Sequence, residues 1–367
     1  MRRLTSILLI FCFICDQANF AQVVTPVAVP AYLSSIAPVA DRFRPLQIRS
    51  IIIPGSSPDL ELLLDKGDQA KVSAASLDQA ALKLFEYFRI GLALPNGKFW
   101  VNLRPDAPDQ IMDPLVEQTD LGRVLLEADL QLKKDLCRLT SPENPEGRMY
   151  WNKLYARAQQ LYGDQEMQIP TVTRPWIVPG EIMIRTNPTG AFIYKATLKV
   201  MLEEDKIKIA DSVERLAGKA ADSGKRLAIS KNKGNTEEQF YLSSFPGPVI
   251  DPRFKELNVY SSQLIRNLII PKLTREVNSS RRYAALRQVY YSLILAQWYK
   301  QRIAESGERL ANSKGKNTAE AGFVATLKTV VDSSDLTGLV SQQAWSKDSY
   351  FQAYRKSFQQ GEYNRQE

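Results

Sequence analysis

Apolar residues in this chain recur with two periods, and the period changes several times along its length. Ile48 to Pro54 and Leu60 to Leu64 are β-branched or leucine-rich runs around Gly55-Ser56-Ser57-Pro58, the pattern of a β-hairpin. Leu77, Ala81, Leu84 and Phe88 then return at helical spacing behind Ser76 and Gln79, a capping-box signature, which predicts a helix over 77–90 with one buried face. Phe99, Val101 and Leu103 alternate with Trp100, Asn102 and Arg104, as in a half-buried strand. A proline-broken acidic loop follows, from Pro105 to about Thr119.

The next stretch predicts two amphipathic helices. Asp120 is the expected N-cap of the first, whose stripe is Leu121, Val124, Leu125, Ala128, Leu132, Leu136 and Leu139. The second carries Trp151, Leu154, Tyr155, Ala158 and Leu161, and Gly163 stands where its C-terminal cap needs a left-handed residue. From Ile182 the pattern is again that of strands, and Asn187-Pro188-Thr189-Gly190 is a turn, so 181–202 reads as a second hairpin. Residues 203–247 are polar and hold Gly218, Gly224, Gly234 and Gly247, which marks a flexible insertion or a linker. Beyond them, helices are expected over Leu257 to Val277, over Arg281 to Arg302, and near 346–360, where Phe351, Tyr354 and Phe358 share a face.

The resulting expectation is an α+β fold dominated by helices, with short antiparallel β-hairpins packed on about six of them. It divides into an extended Pro-rich lead-in at 22–47, an α+β domain at 48–202, the segment 203–247, and a helical region at 248–367. Before these, residues 1–21 have the parts of a secretory signal: Arg2 and Arg3, an apolar run from Leu4 to Cys15, a short polar stretch, and the small residue Ala21. That run is too short to span a bilayer comfortably. Cleavage is expected after Ala21, with Ala18 as the alternative site. Lipidation at Cys15 competes, but Ile14 and Cys12 suit it poorly, and an uncleaved anchor is a weaker third option. The leader takes Arg2, Arg3 and Asp16 with it, which lowers the formal charge from +8 to +7.

Composition narrows the chemistry. The 44% hydrophobic and 24% charged content is that of an ordinary globular protein, with no later stretch apolar enough to span a membrane. There is no histidine, which removes the usual neutral-pH general base, the commonest transition-metal ligand, and every Ser-His or Cys-His pair. Cys12 and Cys15 leave with the leader, and Cys137, beside an amphipathic stripe, reads as a buried inert thiol. One cysteine without histidine cannot build a structural zinc site. No metal and no cofactor is expected. The basic residues of 206–233 are interleaved with Glu203, Glu204, Asp205, Asp211, Glu214 and Asp222, so no nucleic-acid-binding face is expected either.

Three places carry candidate chemistry. Arg104, Asp106, Asp109, Asp113, Glu117 and Asp120 cluster in and around the acidic loop, where paired carboxylates could bind Ca²⁺ or hydrolyse a glycan. The plainer reading is helix caps and solvated turns. Trp100, Asn102 and Arg104 share the strand face opposite the buried one, a mixture suited to a sugar or peptide platform, unless a helix covers that face. Arg174-Pro175-Trp176 and Pro179-Gly180-Glu181 fix an extended entry to the second hairpin, for which structural use is favoured.

Several strings have a further meaning. Gly91 to Asn96 leading into Phe99 to Asp106, Leu126 to Asp135, Arg174 to Glu181, Tyr194 to Val200, and Leu286 to Trp298 resemble a family of uncharacterised exported bacterial proteins known from genome sequencing. The resemblance covers roughly residues 45 to 300 and the closing aromatic helix. It implies a bacterial, exported origin and carries over no activity, ligand or catalytic residue. The expected function is a non-catalytic envelope or extracellular protein, periplasmic or secreted, that binds another envelope protein or a surface polymer through Trp100, Asn102, Arg104, Asp106 and Asp109. The alternative is a carboxylate-dependent glycan hydrolase.

Overall fold

A computed structural model describes residues 42–52, 60–69, 73–94, 114–165, 175–187, 190–205 and 251–312, with short helical pieces at 325, 329–330, 349–353 and 356. These elements belong to one compact unit, residues 40–367. The fold is helix-dominated α+β, and among the described residues it is built around a four-stranded antiparallel sheet of order β2-β1-β4-β3.

The first predicted hairpin is present as β1 (Gln47–Ile52) and β2 (Glu61–Asp65). Ile48 and Ile51 are both fully buried, although residues three apart in a regular strand face opposite ways. A bulge between Ile48 and Ser50 resolves this by turning both towards the core. The second hairpin joins β3 (Pro175–Asn187) to β4 (Gly190–Leu202), and β1 pairs with β4 from Ser50↔Phe192 to Ile52↔Gly190. β3 begins six residues before the expected 181. Pro175 and Pro179 are tolerated because β3 has no strand on its outer side among the described residues, so a missing N–H there leaves no described neighbour unpaired.

Helix α1 (Ala74–Ala93) is capped by Ser73, whose Oγ accepts the Ser76 N–H at 3.2 Å, so Ser76 lies inside the first turn rather than at the cap. Helix α2 (Asp120–Thr140) shifts its cap in the same direction. Thr119 Oγ1 accepts from Gly122 N at 3.1 Å, while the Asp120 carboxylate is drawn away by Tyr87, Lys83 and Arg123. Helix α3 (Pro145–Tyr162) starts on Asn144 and ends at Gly163, at φ +62°.

The stretch expected as one helix over 257–277 is three pieces: α4 (Pro252–Leu264), a π-helical turn (Ile265–Ile269) and α5 (Ile270–Ser279). Pro271 supplies the reason, since it has no N–H and its ring crowds the carbonyl four residues back; the wider turn relieves both. A 3₁₀ turn (Arg281–Tyr283) then leads into α6 (Ala284–Asn312). Along α6, Val289, Ile294, Leu295 and Ala296 are buried in the core cluster that also holds Ile48, Ile51, Leu84 and Phe88. Gly91 makes the α1–α6 approach possible: a Cβ there would lie 2.7 Å from Ala296 Cβ. Elements from both sides of 203–247 therefore share one core, and within that segment residues 206–247 lie outside the described residues. Tyr350 of the closing helical piece is buried, whereas the side chains of Tyr354 and Phe358 lie outside the described residues. Among the described residues no helix is long and apolar enough to cross a membrane.

Candidate functional site

β1 reaches β4 only at residues 190–192, so from Ile193 to Val200 the same edge of β4 has no strand beside it among the described residues. Side chains take the place of that strand. Arg49 Nη1 donates to the carbonyls of Ile193 and Tyr194 at 3.3 and 3.1 Å. Tyr291 Oη accepts from Ala196 N at 3.2 Å, and Thr274 Oγ1 accepts from Val200 N at 3.1 Å. Asn278 serves Leu198 twice, its Oδ1 accepting from the N–H at 2.9 Å and its Nδ2 donating to the carbonyl at 2.7 Å. An exposed edge invites a second chain, and here the polar face of α5 occupies it.

This arrangement leaves a groove of about 1030 Å³ between α5, the middle of the second hairpin, and the strap of residues 42–44. The strap is held firmly. Phe43 N donates to Ser279 O at 2.8 Å, and Arg287 Nη2 donates to Phe43 O at 2.8 Å. Arg287 is buried and also donates to the carbonyls of Val277 and Ser280, at 2.7 and 2.9 Å, so its charge sits on the C-terminal end of α5. Burial pulls its pKa down to about 10, which leaves it protonated at neutral pH. Arg281 stacks its guanidinium 4.7 Å from the Phe43 ring centre. On the other side, Asp68 binds the Arg44 N–H at 2.8 Å and Arg44 Nε at 2.9 Å. These two bonds, the backbone one first, hold the Asp68 carboxyl below the usual carboxylate range. Gly67 at φ +58° lets the turn come this close, since a Cβ there would meet Arg44 O at 2.1 Å.

The lining contains four cationic side chains, Arg42, Arg44, Lys199 and Arg275, against two carboxylates, Asp68 and Glu181. Both carboxylates are engaged, Asp68 by Arg44 and Glu181 by Lys195 at 2.6 Å. Arg42, Lys199 and Arg275 are exposed and have no carboxylate partner among the described residues, so the groove carries an excess of positive charge.

Other carboxylates are tied to the fold. Three aspartates of α2 each accept a tyrosine hydroxyl: Asp120 from Tyr87 at 2.6 Å, Asp135 from Tyr283 at 2.9 Å, and Asp129 from Tyr350. Cations complete each joint: Lys83 and Arg123 at Asp120, Lys133 at Asp129, Arg282 at Asp135. Burial opposes ionisation of Asp120, but the bonds from Tyr87, Arg123 and Lys83 prevail and hold it at about 2. Their positions along α2 separate the three by roughly 9 and 13 Å at the helical rise, so they join α2 to three different elements rather than converge.

Trp100, Asn102, Arg104, Asp106, Asp109 and Asp113 lie outside the described residues, as does Arg174. Of the acidic-loop set, Asp120 is in the joint to Tyr87, and Glu117 ends the short helical turn Pro114–Glu117. Trp176 is buried against the fold, in keeping with a structural use of its stretch. Cys137 is half-buried rather than enclosed. Among the described residues no three His, Cys, Asp or Glu side chains are grouped to hold a metal ion. No known protein family, no characterised protein and no solved structure matches this chain.

Proposed function

We propose that this chain is an exported, non-catalytic binding protein of the cell envelope or exterior, and that its groove takes an acidic surface polymer. The observation behind this reading is the unbalanced charge of Arg42, Lys199 and Arg275 along a groove with a preformed wall. Multiple unpaired cations on fixed elements favour a ligand that repeats its negative charge, because each contact adds without reorganising the site. The charged, apolar and small-residue order of residues 2–21 supports export. Hydrolysis gains no support from the groove: a general acid needs a raised carboxyl pKa, and Asp68 is shifted the other way.

Titration of the full chain with polygalacturonate and with dextran tests the proposal. Polygalacturonate should bind and dextran should not enter the groove, with affinity falling steeply as salt rises. Lys199→Glu combined with Arg275→Glu should weaken polygalacturonate binding by at least tenfold, about 1.4 kcal/mol, at unchanged thermal midpoint. Retention of full affinity by this variant would remove the groove from the account.

A further inference from the structure

A second cavity, of about 430 Å³, opens where the tip of the second hairpin meets α6. Trp298, Gln301, Arg302 and Glu305 line it from the helix, at the i, i+3, i+4, i+7 spacing that puts four side chains on one face, and Thr186 and Asn187 line it from the strand. From this constellation we propose a binding site for a neutral sugar ring, distinct from the basic groove.

Three observations carry it. The indole of Trp298 is half-buried and braced edge-on by Tyr299, at 4.7 Å and 88°, and Tyr299 is itself fully buried with its hydroxyl on Ile51 O. That makes a rigid aromatic wall, the surface on which the C–H face of a pyranose packs at little entropic cost. Arg302 is the second: its Nε is enclosed, so the nitrogens able to meet a ligand are its two Nη, and neither bonds to a described residue. Guanidinium N–H groups that face a cavity without a protein partner are free to donate to a ligand's oxygen. Third, the wall is balanced in charge, one guanidinium and one carboxylate, and holds donors and acceptors side by side. Gln301 Nε2 donates to Glu305 Oε1 at 3.1 Å, leaving its amide oxygen as an acceptor beside Arg302. A sugar hydroxyl both donates and accepts, so it suits this mixture, whereas an anion would meet Glu305 and a cation Arg302. The volume lies within the range of small-molecule sites.

The chain contains other tryptophans, so the test must locate the binding as well as detect it. Trisaccharides of glucose, of galactose and of N-acetylglucosamine are titrated against the full chain by saturation-transfer NMR, and the affinity of the best is measured. At least one should receive saturation at its ring protons. Asn187→Ala and Gln301→Ala, both at exposed positions, should each weaken it by roughly tenfold while circular dichroism and thermal midpoint stay unchanged. Trp298→Phe keeps an aromatic wall and should bind more weakly without being silent, and Trp298→Ala should abolish transfer. Arg275→Glu, in the groove, should leave this affinity as it was. Absence of transfer to all three trisaccharides overturns the proposal. So does binding that survives Asn187→Ala and Gln301→Ala unchanged, or binding that Arg275→Glu removes.

Discussion

Replacing Asn278 by alanine removes three hydrogen bonds at once, to Leu198 N, Leu198 O and Thr274 O. The last matters least, because a helical carbonyl keeps its own intrahelical partner. The first two belong to a strand residue that is only 5% exposed, and no neighbouring strand is there to take them over. A backbone group stranded in this way costs about 1–3 kcal/mol. Two such groups give about 2–6 kcal/mol, and the open groove admits water, which brings the expectation to about 2–3 kcal/mol. Urea unfolding should show this as a lower midpoint at constant slope. Hydrogen exchange at Leu198 should accelerate more than at Ala196, whose N–H is held by Tyr291 Oη instead. Asn278→Asp keeps the acceptor for Leu198 N but sets a negative charge against Leu198 O, so it should rescue little. A loss under about 0.5 kcal/mol, with Leu198 still protected, would show that side chains do not hold this edge.

Other consequences are as open to measurement. Asp120 is ionised in the fold down to about pH 2, so the stability it supplies is complete above roughly pH 4 and drains away as pH falls from there to 2. Allowing for solvent screening of a partly exposed group, that is about 1–2 kcal/mol. Acid unfolding of the native chain and of Asp120→Asn should differ above that window and converge below it; curves that stay parallel would contradict the assignment. Arg287→Met deprives three carbonyls of a charged donor and should cost about 3 kcal/mol in urea unfolding, with the strap at Phe43 becoming sensitive to protease. Gly67→Ala and Gly163→Ala both force alanine to positive φ, but only the first meets backbone. Calorimetry should find about 1 kcal/mol lost at Gly163 and clearly more at Gly67.

Much of the architecture is legible in the linear pattern because local signals and tertiary demands agree there. Both hairpins follow from β-branched runs around turn residues, and the stripes of α2 and α3 end where Thr140 and Gly163 end them. Caps are displaced towards the N-terminus at α1 and α2, since Ser76 and Asp120 are good cap residues but Ser73 and Thr119 precede them, and nothing in the spacing tells which carboxylate a distant Tyr87 will claim. The groove is harder to foresee. Arg42 and Arg275 are 233 positions apart, and Asn278 and Thr274 on a helix read as solvated residues until a strand lies across them. The Pro179-Gly180-Glu181 entry is the part of the groove that stands out from sequence, as a break in strand pattern. Trp298 reads as one more apolar position of a buried helix; that it lines a cavity depends on where the tip of a separate hairpin falls.

The π turn before Pro271 bears on how this chain tolerates insertions and deletions through descent. Ser261, Ile265, Ile269, Leu273 and Val277 are all buried and come every four residues. In an uninterrupted α-helix each four-residue step overshoots by about 40°, so the last of them would be carried roughly 160° around, towards solvent. A single widened turn gives back about 100°, one residue's worth, and keeps the row on the core. Seen this way, the helix has absorbed an extra residue locally while both flanks kept their phase. Losing one residue from 265–269 would let the flanks rejoin as regular helix, except that Pro271 would then crowd the carbonyl the wide turn had moved aside. Insertion and proline are therefore expected to travel together: descendants that shed the one should have replaced the other.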